Sequence, residues 1–169
     1  MSEGTISLGG RDIRQIPQEA YANRMAFVSQ DNYLFNMTVR ENIRLGRPGA
    51  TDAEVEQAAR DSGCHDFILG LEHGYDTVVG SSGGHLSGGE RQRISIARAM
   101  MKDAPVIFLD EATANVDPEN ENELTKAIEA LTREKTVIMI AHRLKTVEHA
   151  DQILVVDHGK IVQRATTIS

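Results

Sequence analysis

Apolar positions along this chain recur with two periods, and the changes of period divide it into elements. Ile6 and Leu8 alternate with polar neighbours before Gly9-Gly10, which predicts a short strand and a turn. Met25–Ser29 is a second short strand, ending at Gln30. Thr51-Asp52-Ala53-Glu54 has capping-box spacing, with Thr51 as N-cap and Glu54 reaching back. The helix it opens runs to about Ser62 and stops at Gly63, with Val55 and Ala59 on its apolar face and Ala58 beside them. Phe67, Ile68 and Leu71 predict another short helix before Gly74. Five glycines between Gly80 and Gly89 exclude a regular element there. From about Gly88 to Met101, Ile94, Ala97 and Met101 recur at helical spacing, while Arg91 and Arg98 lie off that stripe. Pro105 starts the apolar strand Val106–Leu109. Asp117-Pro118 reads as an N-cap and a first-turn proline, opening a helix lined by Leu124, Ala127, Ile128 and Leu131. Thr136–Ile140 is β-branched and apolar and predicts a buried strand. Gln152–Val156 and Lys160–Val162 flank the turn Asp157-His158-Gly159.

The C-terminal half therefore alternates strand, helix, strand, short helix, strand. That is α/β organisation, a sheet covered by helices. The middle is mostly helical. The expected division is residues 1–30 and 104–169 as two parts of one α/β core, with 31–103 as a helical subdomain between them. Composition narrows the classes. The 169 residues are 40% hydrophobic but only 4% aromatic, so the core is built from Ile, Val, Leu, Ala and Met. The formal charge of −7 and the absence of a basic stripe argue against a nucleic-acid partner. The single cysteine, Cys64, excludes an internal disulfide and suits a reducing compartment. No apolar run approaches the ~18 residues of a membrane span, and no signal peptide is visible.

Four places carry chemistry. Val106–Leu109 ends in Asp110-Glu111, placing two carboxylates at the C-terminal edge of a strand, where ligands of α/β sheets bind. Adjacent strand residues face opposite ways, so one acid can organise hydrated Mg²⁺ and the next can polarise a water; the pair taken alone better fits a strand end and turn. Leu86-Ser87-Gly88-Gly89-Glu90 opens a helix with Ser87 as cap and two glycines that leave the first-turn N–H groups uncovered, a ready anion site. His142 and Gln30 each follow a strand, where a histidine can donate to a terminal phosphate. A phosphate cradle of the form G-x-x-x-x-G-K-[ST] occurs nowhere; the only Gly-Lys pair, Gly159-Lys160, is followed by Ile161.

Together these motifs resemble the nucleotide-binding domain of ATP-binding-cassette transporters, especially the exporter-like branch. Leu86–Glu90 resembles the family signature and Val106–Glu111 its second nucleotide motif. Gln30, in Val28-Ser29-Gln30-Asp31, resembles the glutamine-loop residue. Ala114-Asn115-Val116-Asp117 resembles the loop whose aspartate communicates between sites. Ile140-Ala141-His142-Arg143-Leu144 resembles the histidine switch. The likeness runs through essentially the whole chain in the family's order. It implies a partial P-loop NTPase core with an inserted α-helical subdomain, lacking the phosphate-loop strand and helix. It also implies a head-to-tail dimer closing over two ATP molecules. In that dimer Glu111 would be the general base and Asp110 the magnesium organiser. Gln30 would be a metal and water ligand, and His142 a γ-phosphate contact. Ser87, Gly88 and Gly89 would face the partner domain's ATP, and Asp117 would couple the two sites.

The implied cofactors are ATP and Mg²⁺. The implied partners are a second nucleotide-binding domain and a transmembrane transporter domain, at the cytoplasmic face of the cell membrane. Segment Leu34–Ile43 resembles the exporter surface on which a membrane-domain coupling helix docks. The family's phosphate cradle would lie upstream of Met1. The isolated chain is therefore expected to be soluble, unable to hydrolyse ATP, and prone to borrow a strand from a second copy. Some positions depart from the family pattern. Glu90 stands where many members have glutamine, Ala114-Asn115 where serine then alanine is commoner, and Ser81 where a transporter-contact loop usually has glutamate. Arg164-Ala165-Thr166-Thr167 replaces a Gly-Thr/Ser-His stretch. A chromosome-maintenance ATPase would carry long coiled coils, for which the 55 residues between Gln30 and Leu86 leave no room. A non-catalytic interaction fragment is the other alternative.

Overall fold

A computed structural model describes residues 3–29, 31–81, 85–110, 118–141 and 147–166. Its elements run β1 (Ser7–Leu8), β2 (Arg11–Asp12), α1 (Gln18–Ala22), β3 (Met25–Val28), β4 (Met37–Thr38), α2 (Val39–Arg44), α3 (Asp52–Asp61), α4 (His65–Leu69) and β5 (Val78–Val79). They continue with α5 (Gly88–Lys102), β6 (Val106–Asp110), α6 (Pro118–Thr132), β7 (Thr136–Ile140), β8 (Gln152–Asp157) and β9 (Lys160–Thr166).

The central sheet is three-stranded and parallel, in the order β3-β6-β7. Its strands pack one face on α5 and α6 through Ala26, Val28, Ile107 and Leu109, against Ile96, Leu124 and Leu131. A second cluster joins α2, α3, α4 and the end of β5 to α5 through Val39, Ile43, Val55, Ile68, Val79 and Ile94. Helix α5 belongs to both: Ile94, Ala97 and Met101 enter one cluster, Ile96 and Ala99 the other, and Met100 touches each. The capping box expected at Thr51 is present, and the expected cap at Ser87 is a capping box as well. In α3, Thr51 N–H donates to Glu54 at 2.8 Å; in α5, Ser87 N–H donates to Glu90 at 2.9 Å. The two-residue loop His158-Gly159 has φ of +46° and +74°, the primed-turn geometry that matches strand twist.

Strand β7 corrects an expectation. It spans Thr136–Ile140, but only Val137 and Met139 turn toward the helices. Ile138 is 48% and Ile140 51% exposed, on the same open face as Phe27 at 62%. Among the described residues nothing covers that face. A β-branched apolar run reports what a strand is able to bury, and a layer on each side is needed to bury it. β8 does not continue the sheet; it pairs with β9 alone, and Val156 and Val162 stand in solvent. The sheets are thus small and open, as in a partial P-loop NTPase core, with the helical elements α2–α4 inserted between β3 and α5.

Candidate functional site

Parallel pairing in register brings three strand ends to one edge of the central sheet. Val28 pairs with Leu109, Leu109 with Met139, and Asp110 with Ile140. Asp110 is the last residue of β6 and is half-buried, so its carboxylate sits at the C-terminal edge. The chain positions that follow these three ends hold Gln30, Glu111 and His142. These three residues and Asp117 lie outside the described residues. What the sheet does establish is that β3, β6 and β7 deliver the chain to a common edge in a common direction, which adjacent parallel strands do by construction.

A lone carboxylate at that edge fits Mg²⁺, which prefers oxygen donors. Mg²⁺ keeps several waters and is held by one or two carboxylates together with substrate phosphates. No cluster of three potential metal ligands exists among the described residues.

The second part of the site is the N-terminus of α5. Ser87 Oγ accepts from the Glu90 N–H at 3.2 Å, and Ser87 and Gly88 are exposed. Among the described residues, no acceptor meets the N–H groups of Gly88 and Gly89. The fifteen-residue helix thus presents its positive end to solvent at the exposed Gly88. A Cβ at Gly88 would meet nothing within 4 Å, so a phosphate can approach the backbone there. Gly89 differs: it is buried, and a Cβ on it would lie 3.0 Å from the Asn120 Cβ on α6.

Sequence reasoning passed over the polar residues that hold this helix. Arg93 is 8% exposed, and its Nη1 donates to the Gly63 carbonyl at 2.9 Å. Arg98 donates to the Asn42 carbonyl at 2.9 Å, to Asn42 Oδ1 at 3.0 Å and to the Tyr33 carbonyl at 3.2 Å. Desolvation lowers the pKa of its guanidinium from the ordinary arginine value. Asn42 is fully buried and in turn accepts from the Phe35 N–H at 2.9 Å while donating to the Phe35 carbonyl at 3.0 Å. The network fixes Tyr33–Thr38, the start of the segment likened to a docking surface. Its only sequence signal was arginine and asparagine at helical spacing from apolar neighbours, which an exposed face would show equally.

Comparison with known proteins agrees with these motifs. The ABC transporter family model matches residues 1–114. The mycobactin import ATP-binding/permease protein IrtA of Mycobacterium tuberculosis is 50% identical over 166 residues, which is 98% of this chain and 19% of that protein. An uncharacterized ABC transporter ATP-binding protein of Sinorhizobium fredii is 45% identical over 161 residues, 95% of this chain and 28% of that one. The solved structure of a bacterial Atm1-family ABC exporter with ATP bound superposes with a TM-score of 0.88 at 42% identity, covering 98% of this chain and 29% of that one. The chain thus spans less than a third of the length of each of these proteins. On the family match, the shared sequence and the shared fold, the chain belongs to the ABC transporter family, with the fold of its ATP-binding domain.

Proposed function

We propose that this chain is part of the ATP-hydrolysing motor domain of a membrane transporter. Its two parts, residues 1–30 with 104–169 and the helical subdomain 31–103, would close head to tail with a second such domain over ATP. The observation that carries this reading is the pairing of two half-sites in one chain. One is the common edge of β3, β6 and β7 with Asp110 on it; the other is the bare helix end at Ser87–Gly89. The first is suited to the β- and γ-phosphates of one nucleotide, the second to the γ-phosphate of the nucleotide on the opposing domain. One hydrophobic cluster lies wholly within residues 31–103, and the other joins the core strands and α6 to Ile96 and Ala99 of α5.

In the motor, Asp110 and Gln30 would hold Mg²⁺, which when bound neutralises charge on the transferring phosphoryl group. Glu111 takes the proton of the attacking water. His142 donates to the γ-phosphate. Gly88 and Gly89 N–H groups with Ser87 stabilise charge from the far side, and Asp117 links the two sites. The relative named for mycobactin import and the neighbour named an exporter point to opposite directions of transport. Substrate and direction stay outside this proposal.

The partners are a second nucleotide-binding domain and a transmembrane domain at the cytoplasmic face of the membrane. No helix among the described residues is long and apolar enough to cross one. The 169 residues without the cradle hydrolyse no ATP above the Mg²⁺ buffer rate, and the open sheet invites a strand-exchanged homo-oligomer.

The test is Glu111→Gln in the full-length transporter. It keeps ATP affinity, lowers phosphate release by roughly 10²–10⁴-fold, and accumulates the ATP-bound dimer. Wild-type turnover removes Glu111 from the general-base role, and loss of ATP affinity without a trapped dimer overturns the mechanism.

A further inference from the structure

Of the buried polar groups on α5, one connects the proposed anion site to the rest of the molecule. We propose that Arg93, braced by Asn120, is a positioning residue that fixes the first turn of α5 to α6, and so aims the Ser87–Gly89 donors at the partner's nucleotide. This rests on the reading of Ser87–Gly89 given above.

The planar fork of Arg93 reaches a different element on each edge. Nε approaches the Gly89 carbonyl at 3.4 Å, one turn back along α5. Nη1 donates to the Gly63 carbonyl at 2.9 Å, in the turn between α3 and α4. Nη2 approaches Asn120 Oδ1 on α6 at 3.4 Å. The face of the group lies over the Phe67 ring of α4, 4.9 Å from its centroid. Among the described residues no carboxylate comes within ion-pair distance, so a nearly buried charge is met by carbonyl and amide dipoles and a ring. Such an arrangement requires fixed partners, because each one lost leaves the charge under-solvated.

The capping box cannot do this work. Ser87 and Glu90 bond each other and hold the shape of the turn, while its place relative to other elements is left to contacts outside it. Leu86, directly before Ser87, packs against the cluster of α2–α4. Gly89 sits against Asn120 with no side chain between, and Arg93 reaches back to Gly89 and across to the same Asn120. α6 begins at Pro118, directly after Asp117 in the chain. Arg93 and Asn120 therefore tie the helix end that would face one nucleotide to the helix that follows the proposed inter-site loop. A lysine retains the charge but is a point donor without the fork, so it cannot serve Gly63, Gly89 and Asn120 together.

The experiment uses the full-length transporter in detergent or nanodiscs, with Ser87→Ala, Arg93→Lys, Asn120→Ala and the double variant S87A/R93K. Alanine at 120 keeps the Cβ that seats against Gly89 and removes only the amide. Steady-state phosphate release, binding of a fluorescent ATP analogue to the open state, and the thermal midpoint are measured. Arg93→Lys and Asn120→Ala each lower kcat five- to tenfold with open-state nucleotide affinity unchanged. In the S87A background, Arg93→Lys adds less than twofold, because both act through one set of donors. A structural role alone would multiply through undiminished. Full multiplication in the double variant, or wild-type kcat in both Arg93→Lys and Asn120→Ala, overturns the assignment and leaves the signature reading standing. Wild-type turnover in Ser87→Ala removes the signature reading itself, and the positioning role with it. Should Arg93→Lys fail to fold, Asn120→Ala and its double with Ser87→Ala carry the same comparison.

Discussion

Gly46→Ala isolates the contact between α2 and α5 in a single methyl group. Gly46 follows α2, and a Cβ built there would lie 2.0 Å from the Arg98 carbonyl oxygen and 2.8 Å from the Met101 Cβ. The first obstacle is backbone, so no rotamer change relieves it, and the helices must part by roughly an ångström. Overpacking of this kind costs about 1–3 kcal/mol. The upper end applies, since moving α2 also stretches the bonds from Arg98 to Asn42. Alanine restricts the unfolded chain, which offsets about 0.4–1 kcal/mol. The net loss is about 2 kcal/mol, a factor of roughly 30 in the folded-to-unfolded ratio. Urea denaturation followed by far-UV circular dichroism should show a lower midpoint at unchanged slope, with the thermal midpoint down about 4–8 °C. Gly88→Ala is the control: open space surrounds that position, so stability should hold or rise slightly. A Gly46→Ala protein within about 0.5 kcal/mol of wild type would refute the close α2–α5 approach.

Arg98→Met removes the donors to Asn42 and Tyr33 and leaves buried acceptors unmet, so it should cost about 2–3 kcal/mol in the same denaturation assay; a neutral result would mean water takes the arginine's place. Burial pushes the Cys64 thiol up to about 12, so maleimide at pH 8 should label it only in urea, and rapid labelling of the native chain would contradict the packed α3–α4 junction. The Thr51 N–H, more than any other group, holds the Glu54 carboxyl below the ordinary glutamate value. A depressed carboxylate stabilises the fold above its unfolded pKa and loses that contribution as pH falls through the folded one. Glu54→Gln should accordingly flatten the acid limb of stability measured against pH below about 5, and an unchanged limb would remove the capping box from acid stability.

Local rules carried the sequence reading where a few neighbouring residues decide the outcome. Thr51 with Glu54, and Ser87 as a cap, announce helix starts because the bonds such caps make are three residues long. The strand ends at Val28, Asp110 and Ile140 were legible within a residue or two, since β-branched runs stop at polar residues. The exposure of Ile138 and Ile140 was not legible, because it depends on a layer the run itself does not encode. Nor was the inward reach of Arg93, Arg98 and Asn42. Each is buried by partners 27 to 65 residues away in sequence, apart from local bonds, and a helical wheel records only the angle at which a side chain leaves its helix. At the site, Ser87 as a cap and Asp110 at a strand end followed from spacing; the division of labour between Gly88, open to solvent, and Gly89, seated on Asn120, did not.

Because α5 furnishes side chains to two hydrophobic clusters, neither cluster keeps its packing when that helix frays. The two parts of the chain are thermodynamically one, however separate their outlines. Local opening of α2–α4 on one side, or of β3 on the other, leaves α5 held by the remaining cluster, so its central amides exchange with solvent only when both cores open together. The same helix whose first turn is proposed to meet a nucleotide is, at its middle, the element packed into both cores. A tip with free donors mounted on a shaft of that kind is suited to transmit displacement along its length without being absorbed by it.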